Sequence, residues 1–465
     1  MKERILVCGL GVSGEGAALL ALKLGRSVVI VDEKDNASLR EKGKRFSAMG
    51  AELLLGWKKG TFLPDCDIIV LSPGIRRESA LYNALPEKAE KMSELSFALR
   101  HIPCPFAAVT GTNGKTTVTE LSSALFCAAG RRSLPAGNVG DSLSNCVVSA
   151  LEGKCDFLMI EVSSFQLETM KTFPACPGAL LNIGSDHIDR HGSLEEYAKI
   201  KFSLLKAPRR REERIVNGNV LPFLHKFLPG EEATLFSSSD PSADFFADGE
   251  QKKIFYRGKE FFDFREAKLK GVHNMENVCA SLALLRGALG EEALFLPAVR
   301  TALKEFSPSP HRMEVFLEKG GVKYVDDSKA TNPHAVNAAV ARFAEESGGR
   351  KNLILLLGGL DKAMDFSELE KSLVYVKKVI LTGSCAENIG SFLAGKVEME
   401  NCGRNFPLAV EKACSSASEG DIVLLSPATA SMDMFENYAQ RGDSFKALVK
   451  EFAERTLPSP SPGKP

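Results

Sequence analysis

The sequence predicts an α/β protein of three domains, each a mostly parallel sheet with helices packed on it. Short runs of Val, Ile and Leu recur along the chain: RILVCG (4–9), SVVIVD (27–32), CDIIVLSPG (66–74), PFAAVTG (105–111), DFLMIEV (156–162), NLILLLGG (352–359), KKVILTG (377–383) and DIVLLSP (421–427). Unbroken apolar runs of this length mark strands buried on both faces. Helical patterns separate them, as parallel strands require. The 465 residues, at roughly 150 per domain, make about three domains.

Taken in order, RILVC opens as a strand and runs straight into glycines, too short for the apolar core of a signal peptide. HIPCP (101–105) separates the helical SELSFALR from the strand PFAAVTG, and SPSPH (307–311) follows the helical LPAVRTALKEF. These breaks give domains at 1–100, 101–308 and 309–456, each large enough for its own core. The Pro/Ser-rich LPSPSPGKP (457–465) reads as a disordered tail. KKIFYRGKEFFDFREAKLKG (252–271) alternates and carries turn residues, which predicts a β-hairpin in the middle domain. EVFLEKGGVKYVDD (314–327) predicts another, turned by Gly320-Gly321. The basic PRRREER (208–214) reads as a solvated loop.

Lys plus Arg and Asp plus Glu number 59 each, a formal charge of zero, so no long-range pull toward nucleic acid or anionic lipid is expected. Hydrophobic residues at 44% and charged residues at 25% exclude wholesale disorder. No apolar run approaches the roughly 18 residues of a membrane span, and a cytoplasmic protein is expected. The 11 cysteines include no C-x-x-C pair and fit neither a zinc knuckle nor a disulfide framework. Most read as small core residues.

The sharpest motif is VTGTNGKTTVTE (109–120). A strand ends at Thr110, a glycine-rich turn follows, and a helix runs to about Ala129. Gly111 and Gly114 let backbone N–H groups close on a phosphate, and the helix N-terminus adds positive potential. Lys115 can reach the β/γ-phosphates and Thr116 can ligate Mg²⁺. The general pattern wants glycine where Val109 stands, so on that pattern alone a plain Gly-rich turn stays open. CGLGVSGEG (8–16) places Gly9, Gly11 and Gly14 as G-x-G-x-x-G after a strand, with Asp32 ending the next strand. This is a dinucleotide-type pattern. Tight strand–helix packing is the alternative, and another pyrophosphate held by the same geometry satisfies both motifs.

In DFLMIEVSSFQLE (156–168), Glu161 either supplies a Mg²⁺ ligand at a strand end or caps the helix that follows. LLNIGSDHIDRHG (180–192) gathers Asn182, Asp186, His187, Asp189 and His191 after a strand, where α/β sites form. Tyr197 and Lys201, at i and i+4, share a helix face, where a lysine is usually solvated. Asn274 and Asn277 in GVHNMENVCASLALL (271–285) either read an adenine edge or cap their helix, and the local sequence favours capping. In the last domain PHRMEV (310–315), VDDSKATNPHA (325–335), LGGLDKAMDF (357–366) and LLSPATASMDMFENYAQRG (424–442) put Arg312, Asp327, Lys329, Thr331, Lys362 and Ser431 at strand ends. Four such segments in one domain suggest a face that meets a charged ligand.

Read together, these strings resemble the Mur ligase family, ATP-dependent amide-bond formers of peptidoglycan synthesis. TGTNGKTT is similar to the family's phosphate loop, which accounts for Val109. EVSSFQL, GNVG (137–140), DHIDRHG, YAKIK, GVHNMEN, PHRMEV, DDSKATN and LLSPATAS follow in the family order, over residues 4 to about 450. GLGVSG, SSFQL and DDSKATN together look like the branch that adds D-glutamate to UDP-N-acetylmuramoyl-L-alanine.

That resemblance implies an N-terminal Rossmann-like domain for the UDP substrate, a central P-loop-type domain for ATP and two Mg²⁺, and a C-terminal Rossmann-like domain for the amino acid. Gly11, Val12, Ser13, Asp32, Glu33, Lys34 and Gly74 match UDP-contacting positions, and Asn138 matches one near the sugar and metal. Gly111, Thr112, Asn113, Gly114, Lys115, Thr116 and Thr117 match the phosphate grip. Thr116 and Glu161 match ligands of one Mg²⁺. His187 and Lys201 match positions at the second, where the family lysine is carbamylated. Lys115, His187 and Lys201 are then the catalytic residues. Asn274 and Asn277 match adenine contacts, and Arg312 and Asp327 nucleotide contacts. Lys329, Thr331, Lys362, Ser431 and Tyr438, the last in place of a phenylalanine, match positions near D-glutamate. The implied reaction runs through an acyl phosphate and a tetrahedral intermediate to the amide, ADP and phosphate. A monomer with small-molecule substrates is expected.

Three rivals weigh against this reading. Folylpolyglutamate synthases share the phosphate loop but lack a UDP domain, and GLGVSGEG and SPGI speak against them. A NAD-dependent oxidoreductase rests on Gly9, Gly11, Gly14 and Asp32 and leaves the triphosphate loop unexplained. A non-catalytic nucleotide sensor has no need of intact Lys115, Glu161, His187 and Lys201.

Overall fold

The computed structural model describes residues 3–456 apart from 73–74, 76–77, 138–140, 185, 187, 208 and 361–365. The expected tail, 457–465, lies outside the described residues. The chain divides into two compact units. One comprises Met1–Asn182, Ala198–Lys268 and Asn274–Phe306, the other Ile183–Tyr197, Leu269–His273 and Ser307–Pro465.

The first unit holds two sheets. β1 (Arg4–Cys8), β2 (Ser27–Asp32), β3 (Glu52–Leu55), β4 (Ile68–Leu71) and β5 (Glu90–Ser93) form a parallel sheet in the order β3-β2-β1-β4-β5. The second sheet contains β6 (Phe106–Thr110), β7 (Ser133–Gly137), β8 (Phe157–Glu161), β9 (Gly178–Leu180), β10 (Arg214–Asn217), β11 (Thr234–Ser237), β12 (Phe245–Asp248), β13 (Lys253–Tyr256) and β14 (Lys259–Asp263). Its order is β14-β13-β12-β11-β10-β9-β6-β8-β7, antiparallel only from β12 to β14. Both sheets reverse direction of build, at β1 between β2 and β4 and at β6 between β8 and β9. Such reversals open a crevice at the carboxyl ends of the strands.

The two sheets of this unit meet through helices. Helix Val12–Lys23 packs on helix Leu143–Leu151. A Cβ on Gly16 would stand 2.0 Å from Ser142 Oγ, so glycine sets the approach. Glu94 is buried there and accepts from the Ser144 amide at 2.7 Å. Burial pushes its carboxyl up, against the pull of the Ser144 bonds.

The second unit is built on β15 (Glu314–Lys319), β16 (Val322–Asp326), β17 (Leu353–Gly358), β18 (Val376–Thr382), β19 (Met399–Asn401) and β20 (Ile422–Leu425), ordered β15-β16-β20-β17-β18-β19. Only β15 and β16 are antiparallel. β17 explains why the apolar run had to be unbroken. Leu353, Leu355 and Leu357 join Val336, Val340 and Phe343 of helix Pro333–Glu346 in one core. Ile354 and Leu356 join Val410 of helix Phe406–Ser415 and Phe445 and Val449 of helix Tyr438–Thr456 in the other. Each such side chain contributes about 1.5–3 kcal/mol when fully buried, so a polar residue at either register would cost a core.

Both hairpins form as expected. Gly320 and Gly321 take φ of 61° and 72°, and Arg257 and Gly258 take 48° and 74°, positive pairs that match the strand twist. The basic run does not form a solvated loop. Arg214 opens β10, is buried, and pairs with Glu231 at 2.7 Å. Arg209 donates to the carbonyls of Cys176 and Leu204 at 2.7 and 2.8 Å. Strand and loop ends buried against one another need donors for such carbonyls, and these arginines supply them.

Candidate active site

β6 is flanked by β8, where Val109 pairs with Glu161, and by β9, where Thr110 pairs with Leu180. The 111–114 loop therefore emerges between two strand ends, and helix Lys115–Ala128 starts at once. Gly114 caps it at φ 84°, a left-handed conformation that glycine reaches at least cost. A Cβ there would lie 2.4 Å from Asn277 Oδ1, and one on Gly111 would lie 2.9 Å from Leu181 Cβ. Asn182 fixes the loop from the neighbouring strand. Its Oδ1 accepts from the Asn113 amide at 2.8 Å, its Nδ2 donates to the Asn113 carbonyl at 3.2 Å, and its carbonyl accepts from the Thr112 amide at 3.0 Å. A shaped loop running into a helix N-terminus is a seat for an anion.

Lys115 Nζ donates to the Gly111 and Thr112 carbonyls, each at 2.8 Å, and Lys201 Nζ donates to the Gly111 carbonyl at 2.8 Å. Lys201 is only 1% exposed. The local expectation of a solvated lysine fails because its face of helix Leu194–Phe202 is turned onto the loop rather than to water. Glu161, 2% exposed, accepts from Thr116 Oγ1 at 2.8 Å. It does not cap the next helix; Ser163 does so, in a reciprocal pair with Gln166. The Glu161 carboxylate and the Thr116 hydroxyl thus stand together as hard oxygen donors, a set that fits Mg²⁺.

Asn274 and Asn277 lie inside helix Val272–Leu289, past its first residues, so neither caps it. Asn277 Nδ2 donates to Asn274 Oδ1 at 2.9 Å, and both side chains are buried. Asn277 is also the residue against which Gly114 packs.

A second cluster sits at the ends of β1 and β2. Gly9 takes φ 89°, and a Cβ on Gly14 would stand 1.8 Å from the Gly9 carbonyl oxygen. The Asp32 carboxylate accepts from the Leu10 amide at 2.8 Å and the Lys34 amide at 2.9 Å. Ser72 Oγ donates to the Gly9 carbonyl at 3.1 Å. Asp32 thereby holds both turns in shape, while Gly11, Val12, Glu33 and Lys34 face outward and Ser13 is half-buried. Val12 is 63% exposed.

In the second unit, Asp326 ends β16 and Asp327 follows it, with different surroundings. Asp326 meets His311 Nδ1 at 2.6 Å and Lys446 Nζ at 3.6 Å. His311, Glu314 and Asp326 are close enough to hold a cation, but Lys446 already fills that role, 2.9 Å from Glu314. Asp327 accepts from the Met313 amide at 3.1 Å and from Ser426 Oγ at 2.9 Å, and burial pushes its carboxyl up to about 7. Arg312 is flanked by His311 and Met313, both at positive φ. Lys329 Nζ bonds Tyr438 Oη at 3.1 Å and lies 4.4 Å from its ring centroid. Ser431 is buried, and its carbonyl accepts from the Met434 and Phe435 amides. Thr331 is half-buried beside Asn332, which caps helix Pro333–Glu346.

The first unit thus brings together the 111–117 loop, Glu161, Lys201, Asn274 and Asn277. Arg312, Asp327, Lys329, Thr331, Ser431 and Tyr438 belong to the second unit. Gly74, Asn138, His187 and Lys362 lie outside the described residues. Sequence reasoning assigned no role to Asn182, His311 or Arg441. Asn182 carried one signal, its place just after a strand. Arg441 sits in an ordinary charged helical stretch with no local mark.

The family model for the Mur ligase middle domain matches residues 109–285, and that for the Mur ligase glutamate ligase domain matches residues 311–429. The chain is 36% identical over 479 residues to the UDP-N-acetylmuramoylalanine–D-glutamate ligase of Thermoanaerobacter pseudethanolicus, with 97% of this chain and 98% of that one covered. Among solved structures it is similar to a pseudomurein peptide ligase type C from Methanothermus fervidus, with TM-score 0.61, 18% identity, and 97% and 99% of the two chains covered. It is likewise similar to the MurF ligase from Thermotoga maritima in complex with ADP, with TM-score 0.61, 17% identity, and 92% and 95% covered. At such identities the two structures show the shared fold.

Proposed function

The chain belongs to the Mur ligase family, and on that premise we propose that it is an ATP-dependent ligase adding D-glutamate to UDP-N-acetylmuramoyl-L-alanine in peptidoglycan precursor synthesis. The observation that carries the reading is the convergence of Lys115, Lys201 and the Thr116–Glu161 pair around one phosphate-type loop, in a chain of which 97% matches a UDP-N-acetylmuramoylalanine–D-glutamate ligase.

A carboxylate does not acylate an amine at neutral pH, because oxide is its leaving group. Transfer of the ATP γ-phosphoryl to the alanyl carboxylate gives an acyl phosphate, whose phosphate can leave. Two anions must meet in that transfer. The Lys115 ammonium and the amides at the start of helix Lys115–Ala128 offset their repulsion. Mg²⁺ held by Thr116 and Glu161 would supply further positive charge to the phosphate oxygens. Lys201, with His187, belongs in this reading to a second Mg²⁺ position. There its amine, once neutral, would bond CO₂ and lose a proton, becoming an anionic oxygen donor. The D-glutamate amine then attacks the acyl carbon, and the tetrahedral intermediate collapses to the amide and phosphate.

Asn274 and Asn277 read the adenine in this scheme, with Arg312 and Asp327 as further nucleotide contacts. Gly11, Val12, Ser13, Asp32, Glu33, Lys34, Gly74 and Asn138 hold the UDP substrate. Lys329, Thr331, Lys362, Ser431 and Tyr438 orient the D-glutamate carboxylates. The roles divide among domains at 1–100, 101–308 and 309–456. A monomer acting on small-molecule substrates is the assembly this reading takes. Among the described residues no helix is long and apolar enough to cross a membrane, which fits action on nucleotide-linked substrates in the cytoplasm.

Phosphate release is expected only with ATP, Mg²⁺, UDP-N-acetylmuramoyl-L-alanine and D-glutamate all present. Release that ignores D-glutamate, or a panel in which another amino acid is preferred, would overturn the assignment.

A further inference from the structure

Arg441, in the first turn of helix Tyr438–Thr456, is 1% exposed. Its Nε donates to Ser328 Oγ at 3.0 Å, and its Nη2 to the carbonyls of Ser328 at 2.8 Å and Thr429 at 3.1 Å. Among the described residues its buried Nη1 has no hydrogen-bond partner, and it lies 3.0 Å from where a Cβ on Gly359 would stand. Among the described residues no carboxylate forms an ion pair with it. Burial pushes the guanidinium down to about 10, with Asp433 and Asp326 offsetting only part of the effect, so it remains charged at neutral pH.

A buried cation whose hydrogen-bond partners are all neutral is costly, and filling this volume could be left to methionine or leucine. What the arginine achieves is a tie. Ser328 follows the end of β16, Thr429 follows the end of β20, and Gly359 follows the end of β17. One planar group thus links two strand ends by hydrogen bonds and leaves no room for a side chain at the third. Ser328 precedes Lys329, and its Oγ donates to the Tyr438 carbonyl at 2.8 Å, while Tyr438 holds Lys329 by its hydroxyl and ring. Thr429 stands two residues before Ser431. The helix start therefore grips both segments that carry the assigned amino-acid contacts.

We propose that Arg441 is a positioning residue for the amino-acid substrate, locking the segments of Lys329 and Ser431 into one register and adding buried positive charge behind them. The proposal rests on the functional reading above, in which Lys329 and Ser431 meet D-glutamate. Lysine cannot replace it, because one ammonium cannot span three acceptors as the fork does.

Steady-state kinetics of the full-length wild type, Arg441→Lys and Ser328→Ala test this. Arg441→Lys is expected to raise the KM for the amino acid by about tenfold or more, with the KM values for ATP and the UDP substrate within about threefold. Ser328→Ala, which removes one acceptor, is expected to raise the same KM by about threefold. An amino-acid KM within about twofold of wild type in Arg441→Lys, or all three KM values rising in parallel, overturns the proposal. If Arg441→Lys does not fold, Ser328→Ala decides by the same criterion. Should the wild type prefer another amino acid, its KM is the one followed, so a wrong substrate is told apart from a wrong role. A wild type that turns over no amino acid defeats the functional reading, and this proposal with it.

Discussion

Replacing Asp327 by asparagine is expected to flatten part of the pH dependence of stability in the second unit. Asp327 accepts from the Met313 amide and Ser426 Oγ, yet burial dominates and lifts its carboxyl from 3.8 to about 7. Because the folded value lies above the unfolded one, the folded chain binds more protons than the unfolded chain between about pH 4 and pH 7. The group therefore favours folding more as pH falls through 7, with the full effect below 4, and that contribution is lost as pH rises. A shift of about three units corresponds to about 4 kcal/mol across the window, of which about 1.4 kcal/mol falls between pH 8 and pH 6. Asparagine has the same shape and no charge. Its oxygen can keep the Met313 amide, and the Ser426 hydroxyl can rotate to accept from its NH₂. Calorimetric melting of both proteins at pH 6 and pH 8 reads the difference. At about 2–4 °C per kcal/mol for a unit of this size, the gap between variant and parent should change by about 3–6 °C in favour of the variant at pH 8. An equal gap at the two pH values would refute the reasoning.

Three further outcomes are expected. Lys201→Ala should lose turnover by about a thousandfold or more, with partial rescue by a short carboxylic acid that replaces the missing anionic ligand; a near-normal rate would exclude Lys201 as the modified ligand. Gly114→Ala forces a side chain into a φ of 84° and toward Asn277 Oδ1, at about 1–2 kcal/mol of backbone strain. Calorimetric titration should show ATP binding weakened by about tenfold, and unchanged affinity would count against the loop's role. Asp32→Ala removes the acceptor for the Leu10 and Lys34 amides, at about 1.5–3 kcal/mol per charged bond. The KM for the UDP substrate should rise at least about tenfold while that for ATP holds, and a rise in both would point to general damage.

The sheets were legible because strand signals are local. NLILLLGG needs no partner to read as a strand buried on both faces, and Gly320-Gly321 needs none to read as a turn. The phosphate-type loop was legible for the same reason, since its glycines, lysine and threonine lie within one short string. What failed depends on tertiary packing. A lysine in YAKIK looks solvated until its helix is laid against Gly111. PRRREER looks like a surface loop until β10 takes Arg214 inside the sheet. Asn274 and Asn277 look like caps because the helix start at Val272 is set by the packing of a long apolar helix, not by the asparagines. Arg441 acts on Ser328 and Thr429, more than a hundred residues and about a dozen residues away respectively, and no local pattern encodes such a tie.

The contact between Gly114 and Asn277 has a consequence for choice of nucleotide. If Asn277 senses the base, a purine whose edge displaced its amide would press on the turn that must receive the triphosphate. Discrimination among nucleoside triphosphates would then surface as slower chemistry as well as weaker binding, because the two ends of the ligand are felt through a single shared van der Waals surface.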